Sequence, residues 1–241
     1  MEYFNFINMS SMLVSIILNT YNEKKEYLVE AIESYLHQTI KTEIIVSTID
    51  DDRNLELIKS FPVKVVTMKK EEHPGKSPLG SFMQINNALS SITGEWFSFA
   101  SSNDIALPFK NEMEVNCCMN NGKDVCYSAF DIIDESGMKI NERKFHEYDF
   151  KKHLIGNFVS DCSLVNVTVL NKFMPFKIQF NNYAYWNLWL SIFLLHGNAF
   201  IYNNISTWKY RNDKESMHLL RTEIQKREFE SDKNRMLAQY I

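Results

Sequence analysis

The chain has 241 residues, enough for one large domain or two small ones at about 100–200 residues each. With 45% hydrophobic and 23% charged residues and only 7 Gly and 5 Pro, it is excluded from the collagenous, low-complexity and disordered classes. A formal net charge of -4 and the lack of any Lys/Arg run argue against a nucleic-acid partner, which needs a local basic patch.

The apolar run Met12 to Leu18, broken only by Ser15, falls far short of the roughly 18 residues a membrane span requires. Its flanks lack the basic start and the small-residue cleavage site of a signal peptide, so a cytoplasmic location is expected. Cys117, Cys118, Cys126 and Cys162 form no CxxC pair and have no His at metal spacing, which suits reduced core thiols.

In chain order, LVSIIL at 13–18 reads as a buried strand. Tyr27, Leu28, Ala31, Ile32, Tyr35 and Leu36 then share one helical face. EIIVST at 43–48 is a second strand, residues 51–60 a short helix, and VKVVTM at 63–68 a third strand after Pro62. KKEEHPGKSPLG at 69–80 is a turn-rich loop, followed by a helix over 81–91 capped by Ser81. EWFSFA at 95–100 is a fourth strand ending in SSND at 101–104. Pro108 opens a helix, and DVCYSAF at 124–130 is a further strand. A helix is expected over 185–195, a strand-like FIYNNISTWKY follows up to Tyr210, and 217–241 reads as a charged surface helix with a thin stripe at Leu220, Ile224 and Phe229. No linker or repeat appears, so 1–241 is taken as one α/β domain with a charged helical tail over 212–241. Strands alternating with helices predict a Rossmann-like, mainly parallel central sheet flanked by helices on both faces, with its ligand site at the carboxyl ends of the strands.

Three segments in order resemble the family 2 glycosyltransferases, which have the GT-A fold: VSIILNTYNE with LVEAIESYLHQT, TGEWFSFASSNDIALPFK, and YWNLWLSIFLLHG. The resemblance covers about residues 12–211. It implies inverting transfer of a sugar from a nucleoside-diphosphate sugar to an acceptor hydroxyl on a glycan or lipid-linked acceptor, in polysaccharide or glycan assembly. Thr20, Tyr21 and Glu23 match the nucleotide loop. Thr48 occupies the place of the base-binding Asp, with Asp50 close behind. Ser101-Ser102-Asn103-Asp104 matches the Asp-x-Asp motif, so Asn103 and Asp104 become candidate ligands of a divalent metal, Mn²⁺ or Mg²⁺, with His218 as a further one, and Ser102 and Lys76 are placed toward the diphosphate. Ala184 and Tyr185 fall where the resemblance puts the base, and neither removes a proton at neutral pH. Asp161, an acid in the otherwise apolar NFVSDCSLV, is the substitute base, its alternative being a turn cap. The catalytic candidates are therefore Asp161 and Asp104, and the competing reading is a catalytically silent domain that binds a nucleotide sugar or a partner protein.

Overall fold

β1 (Val14–Asn19) is apolar on both faces, with Ile17 turned to one side and Ile16 and Leu18 to the other, all fully buried. That is the signature of a parallel strand covered twice. The computed structural model describes residues 12–177, 179, 183–213 and 223–240; side chains over 223–229 are not described. β2 (Thr42–Ile49), β3 (Lys64–Met68) and β4 (Trp96–Ser101) flank β1 in the order β3-β2-β1-β4, every pair parallel. The sheet continues through β8 (Leu164–Asn166), β6 (Val125–Ile133), β9 (Phe200–Arg211) and β5 (Ile105–Ala106), and β7 (Lys139–Arg143) forms a hairpin with β6. β8 is antiparallel to both β4 and β6, while β6 and β9 are parallel. The strands of sequence 13–18, 43–48, 63–68 and 95–100 are found where expected; the short β5, β7 and β8 are additions.

Helices cover both faces. α1 (Lys25–Leu36), the short α2 (Leu55–Lys59) and α4 (Lys110–Asn121) place Leu28, Ile32, Ile58 and Val115 on Ile16, Leu18 and Val46. On the other face α3 (Pro78–Ala88) and α7 (Ala184–His196) place Phe82, Ile85, Leu188 and Trp189 on Ile17, Ile45, Phe97 and Phe99. Shorter α5 (Phe150–Ile155) and α6 (Val167–Leu170) flank β8. The expected cap at Ser81 is corrected: Ser77 caps α3, accepting from the Gly80 amide at 3.1 Å, because Pro78 is preorganised for the first helical position and starts the helix earlier. The helix expected over 51–60 shrinks to α2, since Asp52 turns its carboxylate back to its own loop. α8 (Glu223–Leu237) is the expected charged tail helix. Leu220 lies outside the described residues, but Met236 at its far end is fully buried beside Tyr183, Trp186 and Leu190. The four cysteines are free thiols, three of them buried.

Two polar features sit inside this frame. Beneath the sheet, Lys110 and Glu114 form an ion pair of 2.7 Å at 0% and 1% exposure, and Glu114 also accepts from Ser128 and Thr207. The second is a break in alternation along β6. Ser128 turns toward α4, yet Phe130, two residues on, packs with Phe145 as Tyr127 does, on the opposite side. The register with β9 shifts on both sides of Ala129, as at a β-bulge.

Candidate active site

A cavity of about 550 Å³ opens at the carboxyl ends of β1 and β4, within the usual range for small-molecule sites. At one end Tyr21 and Glu23 follow β1. Asn22 between them adopts a left-handed φ of 50°, a conformation Asn tolerates better than most residues. The loop after β2 holds this turn. Asp52, 6% exposed, accepts from the Asn22 amide at 2.7 Å, the Thr48 hydroxyl at 2.8 Å and the Asn54 amide at 2.8 Å. Arg53 and Asn54 donate to the Glu23 carbonyl at 2.8 and 2.9 Å. Gln84 of α3 adds a bond to the Thr20 carbonyl at 2.7 Å.

His73 stacks on Tyr21 with ring centroids 4.8 Å apart and lines the same end as Lys76. Gly80 makes that seat possible, for a Cβ there would lie 2.5 Å from the His73 ring. Burial lowers the His73 pKa, so the ring is neutral near pH 7. Lys76 has no ion-pair partner among the described residues.

At the end of β4, Ser101 donates to Asn103 Oδ1 at 2.6 Å and Ser102 reaches Glu23 at 3.4 Å. Asp104, 7% exposed, accepts from the Arg211 amide at 2.9 Å, and Arg211 Nε donates to the Asn103 carbonyl at 3.1 Å. The Arg211 guanidinium is itself buried, over the Tyr27 ring at 4.2 Å and paired with Glu30. Burial pushes Asp104 up to about 7 against the pull of Arg211, and the charges of Asp161 and Glu23 push the same way. Asp161, just before β8, is open to the cavity and has no hydrogen-bond partner among the described residues. The surrounding walls push its carboxyl to about 7 by desolvation, which water entering the cavity moderates. Tyr185 lines the wall nearby, its phenol held protonated by burial and by the charge of Asp161.

Of the residues singled out from sequence, the structure brings Tyr21, Glu23, Lys76, Ser102, Asn103, Asp104 and Asp161 to one cavity. Thr20, Thr48 and Asp50 do not line it. Thr20 and Thr48 are buried under the loop, Thr48 donating to Asp52, and Asp50 accepts from the Lys70 amide at 3.0 Å on the outside. The placement of Thr48 or Asp50 toward a base is thereby corrected, because the strand end turns those groups into the loop's own hydrogen bonding. His218 lies outside the described residues. Sequence reasoning missed Asp52, Gln84 and Arg211. Only Gln84, polar among Phe82, Met83 and Ile85, carried a signal; Asp52 lies in the polar run 50–54 and Arg211 just before Asn212 and Asp213, where a charge is unremarkable.

A sheet wound this way with a cavity at its strand ends is the GT-A fold of nucleotide-sugar enzymes. The structure of TarS residues 1–349 from S. aureus in complex with UDP-GlcNAc superposes with a TM-score of 0.66, at 16% identity, over 93% of this chain and 65% of that one. The same protein in complex with UDP gives 0.64, at 17% identity, over 95% and 70%. The sequence profile of Glycosyl transferase family 2 matches residues 15–178, and the chain belongs to that family.

An uncharacterized glycosyltransferase of Methanocaldococcus jannaschii is 32% identical over 151 residues, 60% of this chain and 50% of that protein, so the chain spans about half that relative's length. The Escherichia coli enzyme UDP-Glc:alpha-D-GlcNAc-diphosphoundecaprenol beta-1,3-glucosyltransferase WfgD is 28% identical over 214 residues, 87% of this chain and 81% of that protein. Among the described residues no helix is long and apolar enough to cross a membrane.

Proposed function

We propose that the chain transfers a sugar from a nucleoside-diphosphate sugar to a hydroxyl of a glycan or lipid-linked acceptor, with inversion at the anomeric carbon. The observation that carries this reading is the convergence of Tyr21, Glu23, Asp104 and Asp161 on one cavity at the strand ends. Tyr21 offers a ring to the nucleobase, Glu23 a carboxylate to the ribose hydroxyls, and Lys76 a charge to the diphosphate. Asp161 accepts the acceptor's proton as its oxygen bonds to the anomeric carbon, while the bond to the diphosphate breaks and its electron pair leaves with the phosphate.

Asp104 and Asn103 present hard oxygen donors that fit Mg²⁺ or Mn²⁺. One Asp104 oxygen is engaged by the Arg211 amide, and among the described residues no three His, Cys, Asp or Glu converge as a complete ligand set. Diphosphate and water would complete the shell, and the cation would neutralise charge on the leaving group. Asp104→Ala is accordingly expected to abolish the extra thermal stabilisation that Mn²⁺ adds to a bound nucleotide while leaving the fold intact. Titration of Mn²⁺ against both proteins checks this; equal metal dependence in the variant refutes the site.

A silent binder is the second reading, favoured because the first turn of α7 carries Ala184 and Tyr185 and no carboxylate. A thermal-shift screen of nucleotide sugars with and without Mn²⁺, followed by turnover assays on the hits, separates the two. A ligand at 100 times its Kd adds about 2.7 kcal/mol to native stability. Stabilisation by a nucleotide sugar together with product formation supports the enzyme, stabilisation alone the silent binder, and no hit removes both.

A further inference from the structure

In the β6–β7 and β6–β9 ladders Phe130 is opposite both Arg143 and Trp208, and Ile132 is opposite Tyr210. Residues paired across neighbouring strands share a face of the sheet, so register alone sets Arg143, Phe130 and Trp208 in one row. The rings meet there. Phe130 lies 4.3 Å from Trp208, 6.0 Å from Tyr210 and 5.8 Å from Phe145, and the Arg143 guanidinium is 5.5 Å above the Phe145 ring. All five side chains line the cavity. Phe130 and Tyr210, half-buried, are absent from the hydrophobic clusters that hold the sheet and its helices together, and Trp208, buried at 5% exposure, backs them.

The row arises from β6, β7 and β9, whereas Tyr21, His73 and Lys76 follow β1 and β3, with β4 and β8 between the two groups in the sheet. Base and diphosphate occupy the first end on the proposed reading, which leaves this end for the acceptor. Flat ring faces suit the C–H face of a pyranose. The charges say more. Glu23, Asp104, Asp161 and Asp213 line the cavity, and the last is paired with Lys24 at 2.9 Å. An anion entering this wall is repelled unless a cation meets it. Lys76 and Arg143 are the Lys and Arg side chains in the lining, and Arg143 is exposed, with no carboxylate partner among the described residues. Its planar fork of donors matches phosphate.

We infer that Arg143, Phe130, Phe145 and Tyr210 form the acceptor subsite, and that it takes a sugar bearing a phosphate, the ring on the aromatic faces and the phosphate on Arg143. The inference rests on the glycosyl-transfer reading and names its acceptor chemistry. The test uses calorimetry with three probes, each with and without saturating UDP: N-acetylglucosamine joined through a diphosphate to an octyl chain, N-acetylglucosamine 1-phosphate, and octyl N-acetylglucosaminide, which has no phosphate. Arg143→Gln should weaken both phosphorylated probes at least about tenfold and leave the octyl glycoside and UDP within about twofold. Phe145→Leu should weaken all three sugars and spare UDP.

Tighter binding of the octyl diphosphate than of the 1-phosphate identifies a lipid-linked acceptor, and equal binding a free phosphosugar. Unchanged affinity of the phosphorylated probes in Arg143→Gln, or an equal loss for UDP, overturns the subsite, as does failure of all three sugars to bind the unaltered protein. Failure of UDP to bind would strike the donor reading instead, and the titrations without UDP still decide the subsite.

Discussion

Asp161→Asn is expected to lower turnover at least about a hundredfold while donor affinity stays within a factor of about two, since a positioned general base contributes typically 10²–10⁴-fold to rate. The exposed carboxylate has no structural bond to lose among the described residues, so the variant should fold as the parent does. With its carboxyl at about 7, the parent's kcat/KM should climb as pH rises through 7 and then level, because only the ionised form takes a proton. Asp104 titrates in the same range and interacts with Asp161, so the limb belongs to the pair. Asn at 161 removes the climb. A variant that keeps its rate would move the base elsewhere.

Stability carries the opposite sign: both carboxyls bind protons more tightly folded than unfolded, so native stability falls as pH rises from about 4 to about 7. Asp104→Asn should flatten that fall, read as Tm against pH.

The largest loss of stability is expected from Glu114→Ala. It leaves the Lys110 ammonium, 0% exposed, without its partner, and also strips an acceptor from Ser128 and Thr207. Breaking one side of a buried pair costs about 3–5 kcal/mol, a large share of the roughly 5–15 kcal/mol that holds a typical domain folded. In a chain of this length that is a Tm drop of roughly 6–20 °C. Replacing both members by apolar residues, Lys110→Met with Glu114→Leu, should recover much of it, since the desolvation cost disappears with the charges. A drop below about 1 kcal/mol for Glu114→Ala, in denaturant melts, would show that water reaches the pair.

How far the sequence could be read follows from the same physics. Parallel strands buried on both faces are written as unbroken apolar runs, which is why 13–18, 43–48, 63–68 and 95–100 were plain, and the loops after them drew attention to Tyr21, Glu23 and Asp104. β5 and β8, of two and three residues, are too short to show a period, and β7 is exposed along most of its length. Ser77 and Ser81 are both plausible caps in the sequence, and only the proline that follows Ser77 tells them apart. Thr48, near the end of β2, and Asp52, in the loop after it, are four residues apart. That both brace the turn, Thr48 through Asp52 and Asp52 on the Asn22 amide, depends on a left-handed Asn22 that no periodicity encodes. Arg211 was hidden for a different reason: its partners at 30, 103, 104, 134 and 135 are distant in sequence, and a lone arginine at a strand end usually points to water.

The irregularity at Ala129 makes residue count, as well as residue type, part of what defines the cavity. Between Ser128 and Phe130 β6 advances two residues while β9 advances five, from Asn203 to Trp208, so the surplus lies in β9 and β6 crosses the irregularity on a single methyl side chain. Drawn straight at constant length, the strand would carry Phe130 beneath the sheet beside Glu114 and turn Asp131 inward. Shortened by that single alanine, it would keep the later side chains in alternation but widen its mismatch in length with β9 from three residues to four. The aromatic row therefore constrains the lengths of β6 and β9 together, and an insertion or deletion in either strand would displace those rings with every aromatic residue still in the sequence.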